Sequence, residues 1–167
     1  NQDLPTYCLD AAEGIQYAVD NGAHVMSCSW WTVQEYSQTL EDTVAYAEQQ
    51  GVYLVAAAGN EGYRRQSPFR ARAGYETVSI TDPGNADELI TVGSTHRESP
   101  HTYGVSYFSS RGPTGDGRAK PDLLAPGEKI ESCVPLSGLK RLDGTSMAAP
   151  HVSGAAALLM ARHWELV

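Results

Sequence analysis

Between Thr145 and Ala161 the chain carries no formally charged side chain, counting His151 as neutral. Small and apolar residues fall on every face of a helix drawn through this stretch, so the pattern predicts a helix buried all round. Pro150 limits where that helix begins. A proline has no N–H to give, and it is tolerated only near the first turn, where N–H groups lack helical partners anyway. The start is therefore expected near Ser146, reached through Asp143-Gly144-Thr145. A hydroxyl at the positive end of a buried helix suits a nucleophile, and the free N–H groups of that turn suit a developing oxyanion. The alternative is that Thr145 or Ser146 is a helix N-cap and nothing more.

The rest of the chain sets this helix in an α/β frame. Residues 9–20 read as a helix with Leu9, Ala12, Ile15, Ala18 and Val19 on one face, ended by Asn21-Gly22. Val25–Ser29 reads as a short strand. Thr39–Gln50 is a second amphipathic helix, with Leu40, Val44 and Ala47 inward and Gly51 as its stop. Val52–Ala58 and Leu89–Gly93 are uninterrupted apolar strands, the pattern of strands buried on both faces. Helix, strand, helix, strand in that order predicts a parallel sheet. A long loop is expected over 59–88, and short strands and turns over 103–142. The strand Val52–Ala58 breaks into Gly59-Asn60-Glu61-Gly62, at the carboxyl end where open α/β sheets place their ligands. Asn60 there is either a turn residue or an amide donor aimed at a ligand.

Composition narrows the partners. Twelve Lys and Arg against twenty Asp and Glu give a net charge of −8, with no basic run, which argues against a nucleic-acid partner. No apolar run approaches the ~20 residues of a membrane span. Cys8, Cys28 and Cys133 are too few and too far apart for a zinc or dithiol site. Cys28 and Cys133 lie in apolar surroundings and read as buried free thiols.

The string Gly144-Thr145-Ser146-Met147-Ala148-Ala149-Pro150-His151-Val152-Ser153-Gly154 resembles the serine motif G-T-S-M-A-x-P-H-V-x-G of the subtilisin-like serine proteases, the subtilases, at every fixed position. Ala56–Gly62 is similar to the family's segment carrying the oxyanion-hole asparagine. The resemblance implies that Ser146 is the nucleophile of a serine endopeptidase, with the Asn60 amide and the Ser146 N–H as oxyanion donors. Val25–Trp31 resembles the strand whose end pairs with substrate backbone, here Ser29-Trp30-Trp31, with Trp31 where the family has Gly. Trp31 reads either as a substrate contact or as core. Ala57, Gly59 and Thr81 complete the implied substrate-binding set. Asp82-Pro83-Gly84 resembles the loop closing the specificity pocket, with a cis peptide expected before Pro83. The carbonyls of Gly84, Ala86 and Leu89 resemble a family cation site, which implies a structural calcium or monovalent ion but no cofactor for the chemistry. Phe108–Pro113 and Lys120–Gly127 are family-like and read as scaffold. Arg64, Arg65, Arg70 and Arg72 lie in a stretch longer than in the simplest subtilisins. They form either a solvated loop or an attraction for acidic substrate.

The implied fold is three-layered α/β with a mostly parallel sheet. The family's aspartate motif D-[ST]-G and histidine motif H-G-T-H are both absent from this sequence. His151, five residues past Ser146 on the same helix, would point about 140° away from it. Residues 1–167 thus resemble a partial catalytic domain lacking its N-terminal strands and its C-terminal end, and inactive alone. The implied partners are a polypeptide substrate and the missing N-terminal part, which would otherwise leave a bare sheet edge. A non-catalytic binding or scaffold module is the alternative.

Overall fold

A computed structural model describes residues 4–30, 37–65 and 73–163. Helix α1 spans Leu4–Asp20 and strand β1 Val25–Cys28. Helix α2 (Gln38–Gln49) follows, then β2 (Tyr53–Ala57), β3 (Tyr63–Arg64), β4 (Gly74–Tyr75) and β5 (Ile90–Thr95). The short α3 (Pro100–Tyr103) leads to β6 (Leu123–Pro126), β7 (Ile130–Cys133), β8 (Leu139–Leu142) and α4 (Thr145–Arg162). Strands β1, β2, β5 and β6 form one sheet in the order β1-β2-β5-β6, parallel throughout. The antiparallel pairs β3–β4 and β7–β8 lie outside it. The 59–88 stretch, expected as loop, contains the first of these pairs.

The sheet is the middle of three layers, and the period-2 alternation of β2 shows why. Leu54 and Ala56 face one side, where they pack with Ala12 and Ile15 of α1 and Leu40, Val44 and Ala47 of α2. Val55 and Ala57 face the other, against Ala148 and Ala149 of α4. Apolar contacts on both faces explain why the strand reads as an unbroken hydrophobic run. α2 begins at Ser37, whose hydroxyl caps the Leu40 N–H, and its inward residues are those the sequence predicts. On α1 the expected Ala12, Ile15 and Val19 face the core, but Leu9 does not. Cys8 is buried while Leu9 is 52% exposed, because Cys8, Ala12, Ile15 and Val19 make the i, i+4, i+7, i+11 stripe.

Two further expectations fail. α4 is not buried all round: only Thr145, Ala148 and Ala149 are fully buried, and Leu158 is 75% exposed. Its inner side rests on the sheet, and no described residue covers the outer side of its C-terminal half. Cys133 is exposed, because it sits on the two-stranded β7–β8 ribbon, which has no second layer; Cys8 and Cys28 are the buried thiols. Burial pushes the Cys28 thiol up to about 11, leaving it protonated and inert.

Polar residues inside the sheet are matched. On β5 the Thr91 hydroxyl donates to Gly84 O, and the Thr95 hydroxyl to Gly104 O. The Ser94 hydroxyl meets that of Ser106, which donates to Glu128. Gly127 carries the chain from β6 toward the ribbon. Its N–H donates to Thr95 O at 3.0 Å, and its carbonyl accepts from Gly144 N at 2.8 Å. A Cβ on Gly127 would collide with the Ser94 hydroxyl and stand 2.7 Å from Gly144 O. Asp82 is buried, with Asn85 Nδ2 donating to one carboxyl oxygen and the other oxygen unpartnered. Burial raises its pKa; the Asn85 and Ser37 hydrogen bonds pull the other way, and the nearby Glu41 charge adds to the rise.

Two outcomes follow from this packing. Gly127→Ala should cost about 1–3 kcal/mol, the range for overpacking against fixed atoms, read as a lower urea midpoint. Asp82 has its folded pKa raised, so its stability contribution is full below the unfolded pKa and is lost as pH rises through the folded value. Unfolding midpoints of wild type and Asp82→Asn, compared at pH 4 and pH 7, should therefore move in favour of the variant as pH rises.

Candidate active site

The site assembles where the end of β2 meets the start of α4. Gly59 follows the strand with φ +106°, a conformation that L side chains rarely adopt. A Cβ there would also stand 2.7 Å from both the Ser110 and the Thr81 hydroxyl oxygens. Asn60 comes next, and its amide is oriented by Thr145. Asn60 Oδ1 accepts from Thr145 N at 3.0 Å and lies 3.2 Å from Thr145 Oγ1, while Gly59 N donates to Thr145 Oγ1 at 3.2 Å. With its oxygen held this way, the Asn60 NH₂ is left to point at whatever arrives. The 59–62 turn is braced from behind: Ser110 N donates to Gly59 O, and Glu61 N donates to Ser110 Oγ. The Phe108–Pro113 segment thus does act as scaffold.

α4 starts at Thr145, one residue before the expected position, with Pro150 inside the helix. Thr145 N is used by Asn60 and Met147 N by Gly144 O. The Ser146 N–H has no hydrogen-bond partner among the described residues, as the first turn of a helix allows. The Ser146 hydroxyl donates to Ser29 O at 3.1 Å, and the Ser29 hydroxyl donates back to Ser146 O at 2.9 Å. Ser146 opens on a groove of ≈ 330 Å³ walled by Ile130–Ser132 and by Met147, Pro150 and His151. His151 does not face the serine hydroxyl; its Nδ1 lies 2.9 Å from Met147 O. His96 packs on Tyr103 and accepts from the Glu98 and Ser99 N–H groups.

Ser29, Asn60 and Ser146 therefore converge, with Gly59 and Thr81 directly behind. Ala57 is buried at the end of β2, and the Thr81 N–H donates to Ala58 O at 3.2 Å. The Thr81 hydroxyl is buried without a partner. Trp30 packs half-buried against the α1–α2 side of the core. Trp31, Arg70 and Arg72 lie outside the described residues. Arg64 pairs with Glu76 at 3.4 Å. The Asp82–Pro83 peptide is cis, as expected. Thr145 is the residue that sequence reasoning undervalued. Its signal was present in the motif, but an N-cap reading hid its role as a link.

The carbonyls of Gly84 and Leu89 already accept hydrogen bonds from within the chain. Gly84 O already accepts the Thr91 hydroxyl at 2.7 Å. Leu89 O accepts the ammonium of Lys120 at 2.7 Å, and the same ammonium pairs with Asp122 at 2.8 Å. Lys120 is buried, so a resident positive charge stands beside Leu89 O. No group of three or more His, Cys, Asp or Glu suited to a metal occurs among the described residues.

Comparison with known proteins agrees with this geometry. The profile of the Subtilase family matches residues 1–166. Pyrolysin of Pyrococcus furiosus is 37% identical over 90% of this chain, which covers 12% of pyrolysin. Subtilisin BL of Lederbergia lenta is 36% identical over 89% of the chain, which covers 46% of it. The structure of sphericase superposes with a TM-score of 0.77 at 30% identity, covering 94% of this chain and 50% of sphericase. The self-cleaved protease domain of PatA gives 0.75 at 34% identity, covering 95% and 53%. The chain thus spans at most about half the length of these relatives. On its sequence, its fold and the joined ends of β2 and α4, the chain belongs to the subtilase family.

Proposed function

We propose that the protein containing this chain is a serine endopeptidase that cleaves peptide bonds through an acyl-enzyme on Ser146. One observation carries this reading. The Ser146 hydroxyl, its unengaged N–H and the free end of the Asn60 amide meet at the N-terminus of α4. Attack on a carbonyl carbon would put negative charge on its oxygen, and two donors fixed before the reaction would stabilise that charge without reorganising. The positive end of α4 would add to the effect.

Proton transfer needs a base, and the base needs an orienting group. Neither family motif for them occurs in this sequence. We assign both to the part of the protein outside this chain, with the β1 side of the sheet as the place where that part attaches. β1 ends the sheet among the described residues. A groove of ≈ 590 Å³ runs beside it, lined by Met26, Ser27 and Cys28 of β1 and by Ala11, Gly14 and Ile15 of α1. A bare strand edge beside an apolar groove invites another strand. Substrate would add main-chain hydrogen bonds at the Ser29 end of β1, with Ala57, Gly59 and Thr81 shaping a side-chain pocket. No helix among the described residues is long and apolar enough to cross a membrane.

The second reading is a non-catalytic module. It is favoured by one contact: the only proton of the Ser146 hydroxyl rests on Ser29 O, not on a base. Labelling with a serine-directed fluorophosphonate separates the two. The full-length protein should label at Ser146, Ser146→Ala should abolish labelling, and residues 1–167 alone should not label measurably. Asn60→Ala should slow labelling about 10²–10³-fold, a range taken from a subtilisin itself and so from within this family. An unlabelled full-length protein would leave the non-catalytic module as the reading.

A further inference from the structure

Pro150 has a consequence for the residue four positions before it. In an α-helix the carbonyl of residue i accepts from the N–H of residue i+4. The partner of Ser146 O would be the N–H of residue 150, which proline lacks. The carbonyl of the nucleophilic residue is thereby released from the helix ladder. The Ser29 hydroxyl donates to it at 2.9 Å, from a strand end 117 residues away in sequence.

We propose that Ser29 is a positioning residue. Its hydroxyl replaces the helix N–H that Pro150 removes, and so fixes the Ser146 backbone against the end of β1. This role is separate from main-chain pairing with substrate at the same residue, and it rests on Ser146 being the nucleophile. Three features of the site point the same way. Thr145, just before Ser146, is held through its own N–H and hydroxyl by the 59–60 turn. The next two residues lean on different supports: Met147 N on Gly144 O, and Ser146 O on Ser29. The first turn is therefore pinned from the β2 side by Asn60 and from the β1 side by Ser29. Losing the second pin would let the Ser146 N–H and Oγ drift relative to the Asn60 amide. Small errors in that alignment cost rate rather than binding.

The experiment uses the full-length protein, a fluorophosphonate probe and a chromogenic peptide amide. Ser29→Ala keeps the main-chain carbonyl at position 29 and removes only the hydroxyl. It should lower kcat and the labelling rate about five- to tenfold, the worth of one hydrogen bond, and leave KM unchanged. Ser29→Thr keeps a hydroxyl and should restore most of the rate. Pro150→Ala restores an N–H to the ladder, so in that background the further change Ser29→Ala should cost less than about twofold. If Pro150→Ala does not fold, the contrast between Ala and Thr at position 29 still decides. The proposal is overturned if Ser29→Ala matches wild type, if Thr is no better than Ala, or if the loss is the same with and without Pro150. It is also overturned if the loss appears in KM alone. A wild-type protein that fails to label overturns the nucleophile reading first, and this one with it.

Discussion

The geometry of the candidate site depends on Thr145. Its N–H and hydroxyl tie the first residue of α4 to Gly59 and Asn60, across 85 residues of sequence. Thr145 is fully buried, so breaking these bonds would strand polar groups away from water at about 1–3 kcal/mol each. The bonds also settle a question that the Asn60 side chain alone leaves open. An amide can present oxygen or nitrogen, and the Thr145 N–H takes the oxygen. The nitrogen is then the end left to donate. One threonine thus sets both the distance between strand and helix and the polarity of the donor between them.

The supports behind this junction are close contacts at glycines that leave no room for a side chain. A Cβ on Gly62 would collide with Ser109 O, and one on Gly127 with the Ser94 hydroxyl. Buried hydroxyls on both faces of β5 and in the adjoining loops fill this region: Thr91, Ser94, Ser106, Ser109 and Ser110 are all buried. Their bonds lock the loops that carry Gly59, Gly84 and Gly127. Polar residues that look out of place in a central strand are therefore what aligns the loops around the site.

Much of this was legible in the sequence, and the exceptions have physical causes. The two-sided burial of β2 shows as an unbroken apolar run, and the turn at Gly59-Asn60 marks its carboxyl end. The inward face of α2 follows from its period. On α1 the stripe through Ala12, Ile15 and Val19 is legible, and it extends back to Cys8 rather than to its more hydrophobic neighbour Leu9. The Lys120 ammonium on Leu89 O was invisible, since a carbonyl acceptor has no residue-type signature. The exposure of α4 was illegible for another reason. Composition reports that a helix needs cover on every side, whereas the structure reports how much cover this chain provides. Leu158 and Leu159 are exposed while Ala148 and Ala149 are buried, so the need is met at one end of the helix and unmet at the other. The bare groove along β1 shows the same shortfall on the opposite layer.

The paired serines connect that shortfall to the chemistry. Two bonds join Ser29 and Ser146, and they differ in kind. The bond from the Ser29 hydroxyl to Ser146 O satisfies a carbonyl that Pro150 has orphaned, and it can persist through a reaction cycle. The bond from the Ser146 hydroxyl to Ser29 O uses that hydroxyl's only proton. On the proposed function, a base taking this proton would turn the hydroxyl away from Ser29 and free Ser29 O for an extended substrate. On the same reading, the arrival of a base and the exposure of the Ser29 carbonyl would be coupled through one reorientation of the Ser146 hydroxyl. The bond from the Ser29 hydroxyl to Ser146 O would hold the rest of the residue still during that reorientation.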